Sequence, residues 1–306
     1  MEIFGYVPNP ERLTAKEAGD LRRYCDEAAT RLIMYGEERV QANAGKIMAA
    51  QASFPGKTIL VGSEVNLYPD GSIDISPATA VWLDLIVLAL HPNVDEAGFR
   101  PIMDDPDEHL RFLIEAMRTH RGHILAHPGF EAILPEERDQ VFNDPLVNGR
   151  TFAGLWAEQR YRDRLDWERL VDAARRSNYA VEINLSPQHK WLCREVLDFN
   201  RYPEGDRSWA KSWQRVIQQV PLIESDEVVR QLRPAIHAGL LLSINNDSHE
   251  VPDGSNPEAM ARWFEAMDML GAAVDDGLER LGASADQILN AWSTRKLKEH
   301  LAKVTA

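Results

Sequence analysis

The stretch Thr58–Asn66, TILVGSEVN, is an apolar run that carries two polar side chains, Glu64 and Asn66, near its end. A short apolar run rich in Val, Ile and Leu is typical of a buried strand. The same pattern recurs along the chain and predicts further strands at Leu83–Leu90, Gly122–Ala126, Tyr179–Leu185 and Leu240–Asn245, with others at Leu32–Tyr35 and, as a weaker signal, Glu2–Val7.

Helical patterns alternate with these strands. Thr14 and Glu17 form a capping box that opens a predicted helix ending near Arg31. Apolar spacing predicts further helices at Asp107–Arg118, Arg164–Ser177, Pro257–Leu270 and Ala285–Val304. The alternation is typical of βα units around a mostly parallel sheet, and six or seven strands favour a barrel over a small open sheet. No Gly-, Ser- or Pro-rich linker divides the chain, so one domain over residues 1–306 is expected.

Composition narrows the classes of function. The chain has 306 residues, a formal net charge of −14 and 44% hydrophobic residues, which argues against a broad surface for nucleic acid or anionic membrane. Cys25 and Cys193 are far apart, so a metal must be held by nitrogen and oxygen. The chain lacks a signal peptide and a 20-residue apolar run, so we expect a cytoplasmic protein; nothing indicates its oligomeric state.

Polar residues follow successive predicted strands. In a parallel α/β barrel the carboxyl ends of the strands meet on one face, where the chemistry takes place. Each residue alone has a plain explanation as a loop or turn residue, but the joint pattern is a ligand set for zinc, manganese or iron. The residues at these ends are Glu64, His91, His127, Glu182 with Asn184, and Asp247 with His249.

The remaining histidines are interpreted as structural or exposed. His123 lies deeper in its strand than His127, so we expect a structural role. Four others on or beside helices are expected at the surface: His109, His120, His237 and His300. Four tryptophans in or beside the less regular segments are expected to pack the core, although they could line a pocket: Trp156, Trp191, Trp209 and Trp213.

These motifs, in this order, resemble those of the PHP superfamily, the polymerase and histidinol phosphatase domains. The resemblance rests on Gly62–Asn66, Pro69–Asp74, Leu83–His91, Ala126–Gly129, Val181–Asn184, Asp247–His249 and the closing stretch that starts at Ile288-Leu-Asn. It runs from about residue 58 to the C-terminus, with insertions near 147–163 and 197–220. It implies a distorted TIM-like barrel of about seven βα units, with one to three divalent ions (zinc, manganese or iron) that hydrolyse phosphoesters.

The resemblance also implies roles for individual residues. Glu64 would bridge two metals, and His91 and His127 would complete one of the two sites. Asp247 would bind the other metal, and His249 would serve a third ion or the substrate phosphate. Glu64, Asp247 and His249 are therefore the candidate catalytic residues.

A small phosphomonoester or phosphodiester is the expected substrate, with no nucleic acid or membrane partner. Its phosphate would need cationic partners, for which Arg100, Arg150 and Arg201 are candidates, although for each of them an ordinary surface charge is the favoured interpretation.

The N-terminal region departs from the family pattern. The family opens with His-x-His and has a further His near the end of its second strand, whereas the first His of this chain is His91. Glu37 or Glu38 could supply a substitute oxygen. A lost first strand, a divergent enzyme or a barrel without hydrolase activity would each explain the departure, and we favour divergence because Glu2–Val7 can fill the gap. The alternatives to a phosphoesterase are an amidohydrolase-like or iron-dependent enzyme, and a binding or regulatory module.

Overall fold

The computed structural model describes residues 2–6, 37–91, 96–128, 165–184, 196–219, 226–245 and 256–304. The strands are β1 (Glu2–Tyr6), β2 (Leu60–Leu67), β3 (Leu85–Leu90), β4 (Ile124–Leu125), β5 (Ala180–Asn184) and β6 (Leu242–Asn245). The helices are α1 (Glu37–Ala50), α2 (Pro77–Ala80), α3 (Glu96–Asp104), α4 (Pro106–Thr119), α5 (Trp167–Arg176), α6 (Ser208–Gln219), α7 (Asp226–His237), α8 (Pro257–Arg280) and α9 (Thr294–Val304).

One six-stranded sheet organises the described residues. Its strand order is β1-β2-β3-β4-β5-β6, and strands β2 to β6 run parallel. This confirms the prediction of an α/β fold with a mostly parallel sheet. Over the described ranges the sheet is open, because β1 and β6 pair only with their neighbours along the order and not with each other.

The first strand runs against the others. β1 pairs antiparallel to β2, with Glu2 opposite Glu64 and Tyr6 opposite Leu60. The weak strand predicted at Glu2–Val7 is therefore present, although it does not add a parallel βα unit. The strand predicted at Leu32–Tyr35 and the helix predicted from Thr14 to Arg31 lie outside the described residues.

Both faces of the sheet are covered. All six residues of β3 are buried, as expected for a strand between two layers. Alternate residues on one face pack against the helices. On the other face, the first halves of the strands pack against the C-terminal segment, through a cluster that includes Leu60, Leu85, Val87, Ile124 and Ala180 with Leu289, Trp292, Leu297 and Leu301. The C-terminal segment thus fills the lower part of this face and leaves the strand ends for polar side chains.

The helix predicted at Ala285–Val304 is wrong over its first nine residues. Two 3₁₀ turns, Ala285–Gln287 and Leu289–Ala291, precede α9. Ile288 forms a parallel bridge with Leu242 of β6. The side chain of Asn290 accepts a hydrogen bond from the backbone N–H of Ile244 at 2.7 Å and donates one to its carbonyl at 2.9 Å. These bonds to the free edge of β6 outweigh the helical preference of the segment.

The burial of side chains tests the positions predicted for His109, Trp209 and Trp213. His109 is 1% exposed, so its predicted surface position is wrong, whereas Trp209 and Trp213 are buried as expected.

Arg262 of α8 is buried and donates to the carbonyls of Tyr202 and Pro203 at 2.7 Å each. These bonds tie the start of the predicted 197–220 insertion to α8.

Candidate metal centre

Three side chains converge at the carboxyl ends of β2, β3 and β4. The Nε2 atom of His91 lies 3.1 Å from Oε1 of Glu64, and the Nε2 atom of His127 lies 3.6 Å from the same oxygen. One ligand atom from each of the three lies within 4.8 Å of the others. The two imidazole rings are 5.3 Å apart and tilted by 51°. The structure therefore brings together the first three residues of the predicted ligand set.

Strand register explains how Glu64 and His91 meet. Glu64 pairs with Val87 and Asn66 with Ala89 in the parallel ladder between β2 and β3. Alternation puts Glu64 and His91 on the face that packs against the C-terminal segment, but beyond the end of that apolar contact. The local sequence predicts this position, because on this face of the sheet a polar residue follows the apolar residues of each strand.

His127 reaches the site by a different route. Its backbone has a φ of 27°, in the left-handed region that a residue with a Cβ seldom adopts. Its N–H donates a 2.7 Å hydrogen bond to Oε2 of Glu182 on β5. The unusual turn after β4 is thus held by a side chain of the next strand.

Glu182 is engaged by donors on both carboxylate oxygens. Besides the His127 N–H, it accepts from Asn245 at 2.8 Å and from Asn184 at 3.2 Å. Burial raises the pKa of Glu182, while His127 and the Asn245 amide act in the opposite direction. Glu182, a residue predicted at the site, thus supports the turn at His127 through these contacts.

The electrostatics of the centre favour an ionised Glu64. Burial acts to raise the pKa of Glu64, but His127 and His91 outweigh it and hold the pKa well below its usual range. The Glu64 side chain is 20% exposed, His91 34% and His127 7%, so the site opens to solvent on the His91 side.

A pair of residues behind His91 was not predicted to take part. The Oδ1 atom of Asn66 lies 2.6 Å from Nδ1 of His91, and the Asn66 amide donates to Oδ2 of Asp74 at 2.6 Å. Both residues belong to the motifs quoted above. The alternation that points Glu64 into the site points Asn66 the same way, and this was the available signal.

The other predicted site residues lie partly inside and partly outside the described ranges. Asp247, His249 and Arg150 lie outside the described residues. Arg100 is exposed on α3, and Arg201 is exposed with its guanidinium 5.2 Å from the ring centroid of Tyr202. Glu37 and Glu38 begin α1, whose first side chains are outside the description.

The three converging residues fit a divalent transition metal. Two ligands about 2.1 Å from zinc at a tetrahedral angle lie about 3.4 Å apart, close to the 3.1 and 3.6 Å separations between Glu64 and the two histidines. Two imidazoles and one carboxylate suit zinc, manganese or iron, and a three-ligand set leaves a position open for chemistry.

Comparisons with known proteins give a distant relationship. No family model matches the chain. The chain is similar to the DNA polymerase/3'-5' exonuclease PolX of Bacillus subtilis (strain 168), with 24% identity over 161 residues. That stretch is 52% of this chain and 22% of the relative, so the match spans about a fifth of the relative's length. Among the described helices, none combines the length and apolar character that crossing a bilayer requires.

Proposed function

We propose that the protein is a metal-dependent hydrolase of the PHP type that acts on a small phosphate ester. The observation that carries this proposal is the convergence of Glu64, His91 and His127 at the ends of adjacent parallel strands. The order of the motifs and the similarity to a protein named as an exonuclease, which cleaves phosphodiesters, also support it. In this proposal the sheet continues into a PHP-type barrel of about seven βα units.

Each of the three residues has a distinct role at the proposed site. Glu64, ionised and flanked by the two imidazoles, would supply an anionic ligand, and His91 and His127 would bind through Nε2. A divalent ion held there would polarise a phosphoryl oxygen and lower the pKa of a bound water. The substrate would approach from the exposed His91 side. Asp247 and His249 remain the proposed ligands of a further ion or of the phosphate.

The overall charge favours a small substrate over nucleic acid. A net charge of −14 repels a polyanion, whereas one phosphate group can be neutralised locally by metal ions and an arginine such as Arg100, Arg150 or Arg201. The nucleic-acid activity in the name of the relative is therefore not carried over to this chain.

The proposal is tested by metal binding and hydrolysis together. Metal-depleted protein is reloaded with zinc, manganese or iron, and bound metal is measured alongside hydrolysis of p-nitrophenyl phosphate and bis(p-nitrophenyl) phosphate. We expect at least one bound ion and measurable turnover, with both strongly reduced in Glu64→Gln and His127→Ala. His237→Ala, which alters an exposed histidine on α7, is the matched control and should retain both.

Two results would overturn the proposal. A wild-type protein that takes up no metal would remove its basis. Metal uptake without turnover on either ester would favour a binding or regulatory module, or hydrolysis of a C–N bond on the same ligands.

A further inference from the structure

We propose that Asp74 and Asn66 act as a positioning relay that fixes which ring nitrogen of His91 carries its proton. The inference rests on the proposed function, because it assigns a purpose to the geometry behind a metal ligand. Neither residue would touch the metal or the substrate. Their effect would pass through the imidazole of His91.

The relay begins at the Asp74 carboxylate, which fixes the orientation of the Asn66 side-chain amide. Ionised Asp74 can only accept hydrogen bonds, so the group of Asn66 that faces Oδ2 of Asp74 at 2.6 Å must be the amide N–H₂. The backbone N–H of Asn66 also donates to Oδ1 of Asp74, at 3.1 Å. The Asn66 amide therefore has one permitted orientation, with its oxygen turned away from Asp74.

That oxygen determines the protonation of His91. Oδ1 of Asn66 lies 2.6 Å from Nδ1 of His91 and has no hydrogen to donate, so Nδ1 must carry the proton. Nε2 faces the Glu64 carboxylate at 3.1 Å, and a metal that binds there replaces the proton that Nε2 shares with this carboxylate and takes the Nε2 lone pair, while Nδ1 keeps its proton. A metal bound beside Glu64 needs this lone pair.

The chain folds back to build the relay. Leu67 and Ile73 form an antiparallel bridge, and the N–H of Asp74 donates to the carbonyl of Asn66 at 3.3 Å. Gly71 lies in the turn between them with a φ of 82°, where a glycine is favoured, and its carbonyl is 2.6 Å from Nε2 of His120. The carboxylate is thus held in place by main-chain bonds on both sides.

The relay acts on His91 and not on His127. His127 is held through its backbone N–H by Glu182, whereas His91 is held through its ring by Asn66. A change at Asp74 should therefore alter one ligand and leave the other as it is.

The chain supplies a matched control at the other end of β2. Asp84 donates its N–H to the carbonyl of Val61 at 2.8 Å and accepts the Val61 N–H at 2.9 Å. Asp74 makes the same pair of main-chain bonds with Asn66. Asp84→Asn therefore repeats the chemical change of Asp74→Asn on the same strand, without an amide that leads to a histidine.

The experiment combines zinc affinity with a direct observation of the ring. Zinc affinity is measured by competition with a chromogenic chelator. Histidine-selective ¹⁵N NMR of the metal-free protein at about pH 8.5, above the ordinary histidine pKa, reports which nitrogen of His91 is protonated. The spectra are recorded in a Glu64→Ala background, because the Glu64 carboxylate would otherwise compete for a proton on Nε2. In Asp74→Asn the new side-chain amide can donate a hydrogen bond as well as accept one. The Asn66 amide can then turn around and present its N–H₂ group to Nδ1 of His91. The form of the His91 ring with the proton on Nδ1 should therefore no longer dominate.

We expect Asp74→Asn to weaken zinc binding by about tenfold or more, with Asp84→Asn unchanged. The exchanged pair Asn66→Asp with Asp74→Asn places an acceptor beside His91 again, and should restore both the Nδ1–H form and zinc affinity to within about threefold of wild type.

The relay is overturned if Asp74→Asn keeps the wild-type protonation of His91, or if Asp84→Asn weakens zinc binding as much as Asp74→Asn. Failure of the proposed function would give a different set of results in the same two measurements. A wild-type protein without zinc affinity would remove the metal site, while the NMR comparison in metal-free protein would still decide whether Asp74 controls the His91 ring.

Discussion

At the scale of single residues, each histidine of the candidate centre depends on a partner that is remote in sequence. His127 adopts a left-handed backbone conformation and is held by Glu182, 55 positions further along the chain. His123, on the other side of β4, is fully buried and accepts the N–H of Ile86 at Nδ1. One histidine thus serves the site and the other the core, although they are only four positions apart in the sequence.

Replacing Glu182 with glutamine should destabilise the protein and loosen the site. Three N–H donors meet this carboxylate, and glutamine has one oxygen, so its own N–H₂ must face at least one donor. We expect a loss of about 1–3 kcal/mol in the free energy of unfolding and weaker zinc binding. Urea denaturation of metal-free protein measures the first quantity, and chelator competition the second. Glu115→Gln, on the exposed side of α4, is the control; equal effects in the two variants would contradict the role given to Glu182.

The stability should fall in acid because of His123. Burial lowers the pKa of His123 from 6.5 to about 4 in the folded chain. Between these values the unfolded chain binds the proton and the folded chain does not, so stability is full above pH 6.5 and decreases as the pH falls toward 4. The contribution is on the order of 3 kcal/mol. Urea unfolding across this range should show a shallower pH dependence in His123→Gln than in wild type, and parallel curves would argue against the assignment.

At the scale of elements, hydrogen bonds from side chains at the ends and edges of the strands fix the positions of the strands, in addition to the apolar packing of their centres. β2 is anchored at one end by Asp84 and at the other by Asp74, and β6 is completed at its free edge by the Asn290 side chain. β4 is the shortest strand described, and the backbone that leads into it passes close to Tyr179. β4, which leads to the turn at His127, is therefore held by side-chain packing as well as by its ladder.

Adding a methyl group at Gly122 should disturb this approach to β4. A Cβ there would lie 2.7 Å from ring carbons of Tyr179, whose hydroxyl donates to the His120 carbonyl at 2.8 Å. We expect Gly122→Ala to cost about 1–3 kcal/mol. Gly45→Ala, in α1, meets nothing within 4 Å and should stabilise by up to about 1 kcal/mol. Thermal unfolding of the pair checks the opposite signs, and a neutral Gly122→Ala would show that Tyr179 can move away.

At the scale of the whole molecule, the two halves of the strands have different roles. One half packs the core, and the other carries the polar residues of the candidate site. On one face the C-terminal segment packs the first halves of the strands with Trp292, Leu297 and Leu301. The second halves of the strands carry Glu64, Asn66 and Glu182 toward the site. Because the apolar contact ends where the polar residues begin, a charged site can form without an opening in the core.

Metal binding should stabilise the entire fold, since the ligands come from separate strands. We expect zinc at 100 times its Kd to add about 2.7 kcal/mol to the free energy of unfolding in wild type and in the exposed-histidine variant His237→Ala. His127→Ala should show little increase. Differential scanning calorimetry with and without zinc makes the comparison, and an equal increase in His127→Ala would place the bound zinc elsewhere.

The sequence by itself determined the α/β class, five strands of the parallel sheet and three metal-ligand candidates that meet. These features follow from local periodicity and from polar residues placed just past apolar runs. Only the tertiary structure decided the antiparallel pairing of β1, the interruption before α9, the burial of His109 and the links from Asn66 to Asp74 and from Glu182 to His127. Each of these depends on hydrogen bonds or packing between segments that are separated in the sequence, and local preference carries no information about such partners.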